Sequence, residues 1–292
     1  MRSHAQVPTL LVKDDRLRIY FASRPEKSLS LTTYVDLDLD DFSNVLYLHP
    51  EPIIDLGGPG TFDEHGIMPS SVVEKDGAVY LYYSGWSRGT SVPYSNYTGL
   101  AISEDGGSSF KKFGEEPIIG RNIHEIYSAT SPCVYCSGGL WHMWYSSGTH
   151  WIEVGDKLEH TYDIKYAQSE DGMRWVQTNQ TAIKQRSKYE ALTRPTVVNL
   201  CEKHHMWFCY RGSKDFRDGQ DSYRIGYAWS EDLKVWTRND QISGIDVSPS
   251  GWDSKMIAYP AVARVRDRVI MFYNGNNFGA YGFGYAELDE QA

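Results

Sequence analysis

The chain has 292 residues, of which 41% are apolar, 14% aromatic and 23% charged. That balance suits a soluble globular protein with one large core and excludes a disordered chain, a collagen-like repeat and a disulfide scaffold. Lys and Arg number 29 against 38 Asp and Glu, a formal net charge of −9 with the two signs interspersed, so no basic surface is expected to track nucleic acid.

The start, Met1-Arg2-Ser3-His4-Ala5-Gln6-Val7-Pro8, carries no apolar stretch resembling a signal peptide, and no window approaches ~18 uninterrupted apolar residues. A cytoplasmic address with no membrane partner is the expectation. With 21 Tyr, 9 Trp, 10 Phe and 26 Gly, the chain is rich in strand-forming aromatics and turn residues, while apolar positions at helical spacing are scarce. An all-β protein follows.

In chain order, a proline opens a short apolar run at Pro8, Pro69, Pro132, Pro195 and Pro260, at spacings of 61, 63, 63 and 65. Each proline suits the first position of a strand, where its missing N–H breaks no ladder bond. A turn such as Lys75-Asp76-Gly77 or Ser137-Gly138-Gly139 ends the run, and an aromatic return strand follows: Ile19-Tyr20-Phe21, Leu81-Tyr82-Tyr83, Met143-Trp144-Tyr145, Trp207-Phe208-Cys209 and Met271-Phe272-Tyr273. Third strands are marked by Tyr34-Val35-Asp36, Leu100-Ala101-Ile102, Tyr166-Ala167-Gln168, Tyr227-Ala228-Trp229 and Tyr285-Ala286-Glu287. Three of them run into Ser-Glu-Asp turns whose carboxylates brace the turn backbone, each followed by a covering aromatic: Phe110, Trp175 or Trp236.

Radial repetition around an axis explains such a period where a sandwich does not. The expected fold is therefore all-β: a five-bladed β-propeller with mostly four-stranded antiparallel blades, a three-stranded last blade, and residues 1–292 as a single domain. Cys133 and Cys136 form a C-x-x-C without a matching second pair, and with Cys201 and Cys209 they read as buried free thiols.

In such a fold the blade-to-blade linkers and second-to-third-strand loops share one end, and here they are long and chemically dense. The linkers supply His4 and Gln6; Asp63, Glu64 and His65; His124, Glu125 and Tyr127; Glu190 and Arg194; and Asp253, Lys255 and Tyr259. The loops add Trp86 and Arg88, His150 and Trp151, Arg211, and Asn274, Asn276 and Asn277. A ring of acids in one funnel would raise at least one pKa, as an acid/base pair requires. The plainer alternative is that these acids pair with Arg194, Lys255 or Arg211 and fix the linkers. Aromatic faces beside Asn, Arg and carboxylates best suit a small-molecule carbohydrate or sugar derivative, with a bidentate grip of Arg88, Arg194 and Arg211 on a carboxylate or phosphate, as in an anionic sugar or sugar nucleotide, the alternative.

The proline-led strands, the aromatic second strands and turns such as Ser169-Glu170-Asp171-Gly172-Met173-Arg174-Trp175 resemble the five-bladed propeller superfamily of glycosidases, namely the arabinanase/xylosidase, invertase/levansucrase and mannoside phosphorylase families. The resemblance spans essentially the whole chain. It implies carboxylates near inner-strand starts, one as base or nucleophile and one as acid, flanking a glycosidic bond. The sequence departs from that pattern: Val7 precedes Pro8 and Ser131 precedes Pro132 where Asp is typical, and Thr193-Arg194 precedes Pro195 where Glu is often close.

No catalytic residue therefore carries over one for one. A glycoside hydrolase or transglycosidase would use Glu190 as proton donor and Glu64 or Asp63 as base, with Asp253 tuning both. The competing expectation is a non-hydrolytic sugar-binding or sugar-biosynthesis propeller that has lost the usual aspartates. A protein-interaction propeller ranks last, because the linkers mix acids, bases, His and Trp at ligand scale. No cofactor is required, and an axial metal ion reached by His4 or His65 is possible but not demanded.

Overall fold

A computed structural model describes residues 3–26, 28–217 and 219–289. Met1 and Arg2 at the head of the expected domain, and residues 290–292 at its tail, lie outside the described residues. Among these residues the strands form four sheets, and the eight-stranded one is two antiparallel meanders joined by a single parallel pairing, Tyr97 with Ala129, so that five successive antiparallel meanders follow along the chain. The first comprises β1 (Ser3–Val12), β2 (Leu17–Arg24), β3 (Leu31–Leu37) and β4 (Val45–Leu48). The second comprises β5 (Gly66–Lys75), β6 (Ala78–Arg88), β7 (Tyr94–Ser103) and β8 (Lys111–Lys112), and the third β9 (Ala129–Ser137), β10 (Leu140–Val154), β11 (Lys157–Ser169) and β12 (Val176–Ile183). The fourth is β13 (Ala191–Leu200), β14 (Lys203–Arg211), β15 (Arg224–Ser230) and β16 (Thr237–Arg238); the fifth has three strands, β17 (Ala258–Val265), β18 (Arg268–Asn274) and β19 (Phe283–Glu287).

The meanders close into a ring. β1 packs on β5, β5 on β9, β9 on β13, β13 on β17, and β17 back on β1. A single meander cannot bury both its faces, so each shares an apolar cluster with either neighbour. One cluster joins Leu17, Ile19 and Val35 to Val265, Ile270 and Phe272, sealing the last meander against the first. The same seam carries polar clasps: the Val7 amide donates to Asn274 Oδ1 at 2.8 Å, Asn274 Nδ2 donates to the Ala5 carbonyl at 2.8 Å, and Gln6 Nε2 donates to the Phe278 carbonyl at 2.6 Å. The second-strand aromatics Tyr20, Tyr82, Trp144, Phe208 and Phe272 are all buried. Two of them latch adjacent meanders, with the Tyr20 hydroxyl donating to the Gly107 carbonyl at 2.7 Å and Tyr82 to Gly172 at 2.8 Å.

Three sequence expectations need correction. The prolines do not open their strands. Pro8, Pro69, Pro132, Pro195 and Pro260 lie inside β1, β5, β9, β13 and β17, where the pairing with the second strand shifts register. A bulge is the other place where a strand tolerates a residue without an N–H, because the extra residue is unpaired anyway. The second-to-third connection of the third meander is no irregular loop either: β10 and β11 run on as a long hairpin to a turn at Gly155, with His150 and Trp151 on its strands. Finally, only Cys133 and Cys209 are buried free thiols, whereas Cys136, near the end of β9, and Cys201, in the turn after β13, are exposed. No helix among the described residues is long and apolar enough to cross a membrane.

The three Ser-Glu-Asp turns brace themselves as expected. Asp171 accepts the amides of Met173 and Arg174, both at 2.8 Å, and the Ser169 hydroxyl at 3.0 Å. Asp105 and Asp232 do the same in their turns. The hydrogen bond from the Arg174 amide and its companions hold the Asp171 carboxyl below its ordinary pKa. Asp171→Ala should cost about 1–2 kcal/mol at pH 7 in urea denaturation. Because the folded pKa is depressed, that contribution is present above about pH 4 and is lost as pH falls through the folded value, so the deficit should shrink in acid.

Candidate functional site

In four of the five first strands the residue before the bulge proline is turned out of the strand, while in β5 Pro69 stays paired with Tyr83 and Ser70 is the extra residue. Val7, Ser131, Arg194 and Tyr259 have φ of 51°, 51°, 56° and 57°, a left-handed conformation that costs a non-glycine residue about 1–3 kcal/mol. All four line one cavity of about 420 Å³. Gln6, Pro69 and Thr193 line it too, so every first strand of the ring contributes and the cavity lies on the axis.

Arg194 forms its floor. From β13 it donates through Nη2 to the Pro8 carbonyl at 2.7 Å and Thr9 Oγ1 at 2.8 Å, and through Nη1 to the Ser70 carbonyl, tying β1 and β5 to β13. Its Nε is buried without a partner, and burial lowers its pKa to about 10. A guanidinium across the axis presents donors where a metal ion needs acceptors, so an axial metal does not fit. Among the described residues no three His, Cys, Asp or Glu side chains converge on a point.

The walls are aromatic and cationic. Trp86 lies flat over Gly66, where a Cβ would stand 1.8 Å from the indole Nε1, so only glycine admits the ring there. Arg24 donates to Gln6 Oε1 at 2.9 Å. Arg211 is buried on the face of Phe216, 3.7 Å from its centroid, and donates to the Tyr223 hydroxyl, the Gly212 carbonyl and the His160 carbonyl at 3.2, 2.7 and 2.8 Å. Arg217 lies 4.3 Å from the same ring and donates to both oxygens of Glu159. Among the described residues Glu159 is the one carboxylate in this lining. Asn96 Oδ1 and Thr130 Oγ1 also border the cavity, buried and without partners.

The linker acids are elsewhere. Asp63 is buried under Lys112 Nζ at 2.7 Å and the Tyr83 hydroxyl at 2.9 Å. Glu125 accepts from Tyr145 at 2.9 Å, from Lys165 Nζ at 3.0 Å and from Ser147. Asp253 accepts from Tyr273 at 2.9 Å, and Glu190 is bound bidentately by Arg238 at 2.8 and 3.1 Å and by the Arg186 amide. Their partners are thus Lys112, Lys165 and Arg238, not the expected Arg194, Lys255 or Arg211. Burial, reinforced by the adjoining carboxylates, pushes the Tyr83, Tyr145 and Tyr273 hydroxyls well above the ordinary phenol value, which keeps them donors. Glu64 is half-buried outside the cavity and accepts the Gly60 amide at 2.8 Å.

Of the other expected binding residues, Gln6, Trp86, Arg194, Arg211 and Tyr259 line the cavity. His65 stacks on Trp86 from behind, 5.9 Å between centroids, and accepts the Arg88 amide while the Arg88 side chain stays exposed. His4 bonds its neighbour Ser3. Trp151 stacks on His160 at 4.1 Å, and Tyr127 meets the edge of the same imidazole. Lys255 and Asn276 line an adjacent hollow of about 410 Å³, where Asn276 Oδ1 accepts the Lys255 and Met256 amides. Sequence reasoning missed Arg24, Tyr94, Glu159 and Arg217. The position before each repeat proline, and in β1, β9 and β13 the one before that, is the signal that marks the cavity; the long hairpin and the 212–222 loop carry no such mark.

The family profile described as "Glycosyl hydrolases family 32 N-terminal domain" matches residues 49–250. An uncharacterized protein of Mycobacterium tuberculosis is 38% identical over 290 residues, 99% of this chain and 93% of that protein. Among solved structures, a thermostable family-43 glycoside hydrolase superposes with a TM-score of 0.74 at 15% identity, covering 99% of this chain and 92% of the other. An exo-1,5-alpha-L-arabinanase from a bovine ruminal metagenomic library gives 0.68 at 12%, covering 99% and 95%.

Two outcomes follow from the buried groups. Lys165→Met, which strands the Glu125 charge, should destabilise by about 3 kcal/mol, and Tyr145→Phe by only about 1 kcal/mol, both read by chemical denaturation. His160 has neither ring nitrogen bonded, and burial, then Arg211, lowers its pKa to about 3 from the ordinary 6.5. The unfolded chain therefore takes a proton that the folded one refuses, and stability should fall by up to about 1.4 kcal/mol per unit between pH 6.5 and 3. His160→Phe should flatten that acid limb in urea midpoints measured across the range.

Proposed function

Since the chain belongs to the family of the glycosyl hydrolases family 32 N-terminal domain, with a glycosidase-like β-propeller fold, we propose that its five meanders are five blades around a carbohydrate site. The axial cavity binds a sugar or sugar derivative and does not hydrolyse it with the linker carboxylates. One observation carries this reading. Glycoside hydrolysis asks for two carboxylates flanking the bond, and among the described residues the cavity lining holds a single one, Glu159, engaged by Arg217. Asp63, Glu64, Glu190 and Asp253 serve as pins that hold the linkers to their blades, as Glu125 does.

Trp86 offers a flat face for the apolar side of a pyranose or furanose ring. Gln6, Asn96, Thr130 and Arg194 offer the polar contacts for its hydroxyls, and Tyr259 closes the wall. His65 positions Trp86.

Calorimetric titration with neutral, uronic and phosphorylated mono- and disaccharides tests binding, and release of reducing sugar from a glycoside panel tests hydrolysis. We expect affinity without turnover. Trp86→Ala should weaken binding about tenfold, the equivalent of ~1.4 kcal/mol of lost stacking, with folding unchanged. Turnover that disappears in Glu64→Gln or Glu190→Gln would instead establish a hydrolase.

A further inference from the structure

We propose that the saccharide held in the axial cavity carries an acidic group, a carboxylate or a phosphate, bound by Arg24, Arg194, Arg211 and Arg217. This rests on the reading of the cavity as a sugar site and names the class of sugar. The chain as a whole carries a net charge of −9, yet among the described residues four guanidinium groups line this one cavity against one carboxylate. Such a local reversal of sign concentrates anions.

The two deepest arginines make the case. Arg194 and Arg211 are 3% and 4% exposed, and among the described residues each donates only to neutral oxygens: backbone carbonyls and the hydroxyls of a serine, a threonine and a tyrosine. A buried cation normally has a counter-charge, because neutral acceptors replace its lost hydration only in part. Donors remain as well: Arg194 keeps its Nε–H, and Arg211 keeps two of the five N–H groups of a guanidinium. Arg211 and Arg217 moreover share the Phe216 ring, which sets two like charges close together. Glu159 answers only one of them. An oxyanion on the ligand supplies the missing counter-charge, and charge-assisted bonds to guanidinium are the strong kind.

Calorimetry with glucose, galactose and mannose, each beside its uronate and its 6-phosphate, tests the proposal. The acidic member of at least one trio should bind at least tenfold more tightly than the neutral hexose, with a gap that narrows as salt is added. A preference for uronates over phosphates, or the reverse, identifies the source of the charge. Arg24→Gln, an exposed position, should reduce the acidic ligand's affinity about tenfold and a neutral hexose's by much less. Arg211→Met should do so more strongly, with circular dichroism confirming that it folds. Neutral hexoses that bind as tightly as their acidic partners, or an acidic ligand whose affinity neither variant changes, would overturn the acidic-group proposal while leaving the sugar site standing. No binding by any member of the panel would overturn the sugar site itself.

Discussion

A proline near the start of each first strand deletes one ladder donor, and the strand absorbs the loss as a bulge. That constraint determines what the axis is made of. The bulge rotates the preceding residue inward, so the cavity is built from Val7, Ser131, Arg194 and Tyr259 with the residues beside them. Left-handed φ at four non-glycine positions is unfavourable by itself and persists only because ring packing leaves the strands no alternative. A scaffold of this kind separates structure from chemistry: the bulge is supplied by proline, and the group delivered to the axis by whichever residue precedes it. An aspartate there would face a substrate. Valine, serine and arginine occupy the positions instead.

The linker acids illustrate the opposite relation. Asp63, Glu125 and Asp253 each stand 20 residues before the tyrosine that binds them, so the pin belongs to the repeat itself. Three of the four buried acids also receive a Lys or Arg from a third or fourth strand of their own meander. Such carboxylates fasten each linker where one meander hands over to the next. The glycosidase-like propeller is thus intact while its axial groups are cationic and neutral, and likeness of fold carries no activity with it.

Much of this was legible in the sequence, for a physical reason. The 61-to-65-residue period, the buried second-strand aromatics and the self-braced Ser-Glu-Asp turns are local signals that repeat, and each appears where the pattern puts it. The bulges were not legible, because a proline at a strand start and one at a bulge satisfy the same hydrogen-bonding rule. Glu64, Glu190 and Asp253 look like a convergent ring because they recur at fixed distances from proline. Which way they face depends on the Gly60 amide, Arg238 and Tyr273, whose significance appears only once the strands are paired. Arg194 and Arg211 were legible as cavity residues, whereas Glu159 and Arg217 come from a hairpin and a loop that break the period.

The seam between first and last meanders has a kinetic consequence. Its clasps link residues 267, 269 and 272 positions apart, almost the length of the chain. Pairings within each meander are short-range and can form while synthesis proceeds, but β1 has no outer neighbour until β17 and β18 have left the ribosome. Until then its Leu10 side and the unclasped Val7 amide stay open to other chains. A topology whose final contacts have such high contact order folds late and slowly, and the nascent first meander is where chaperones would find exposed apolar surface.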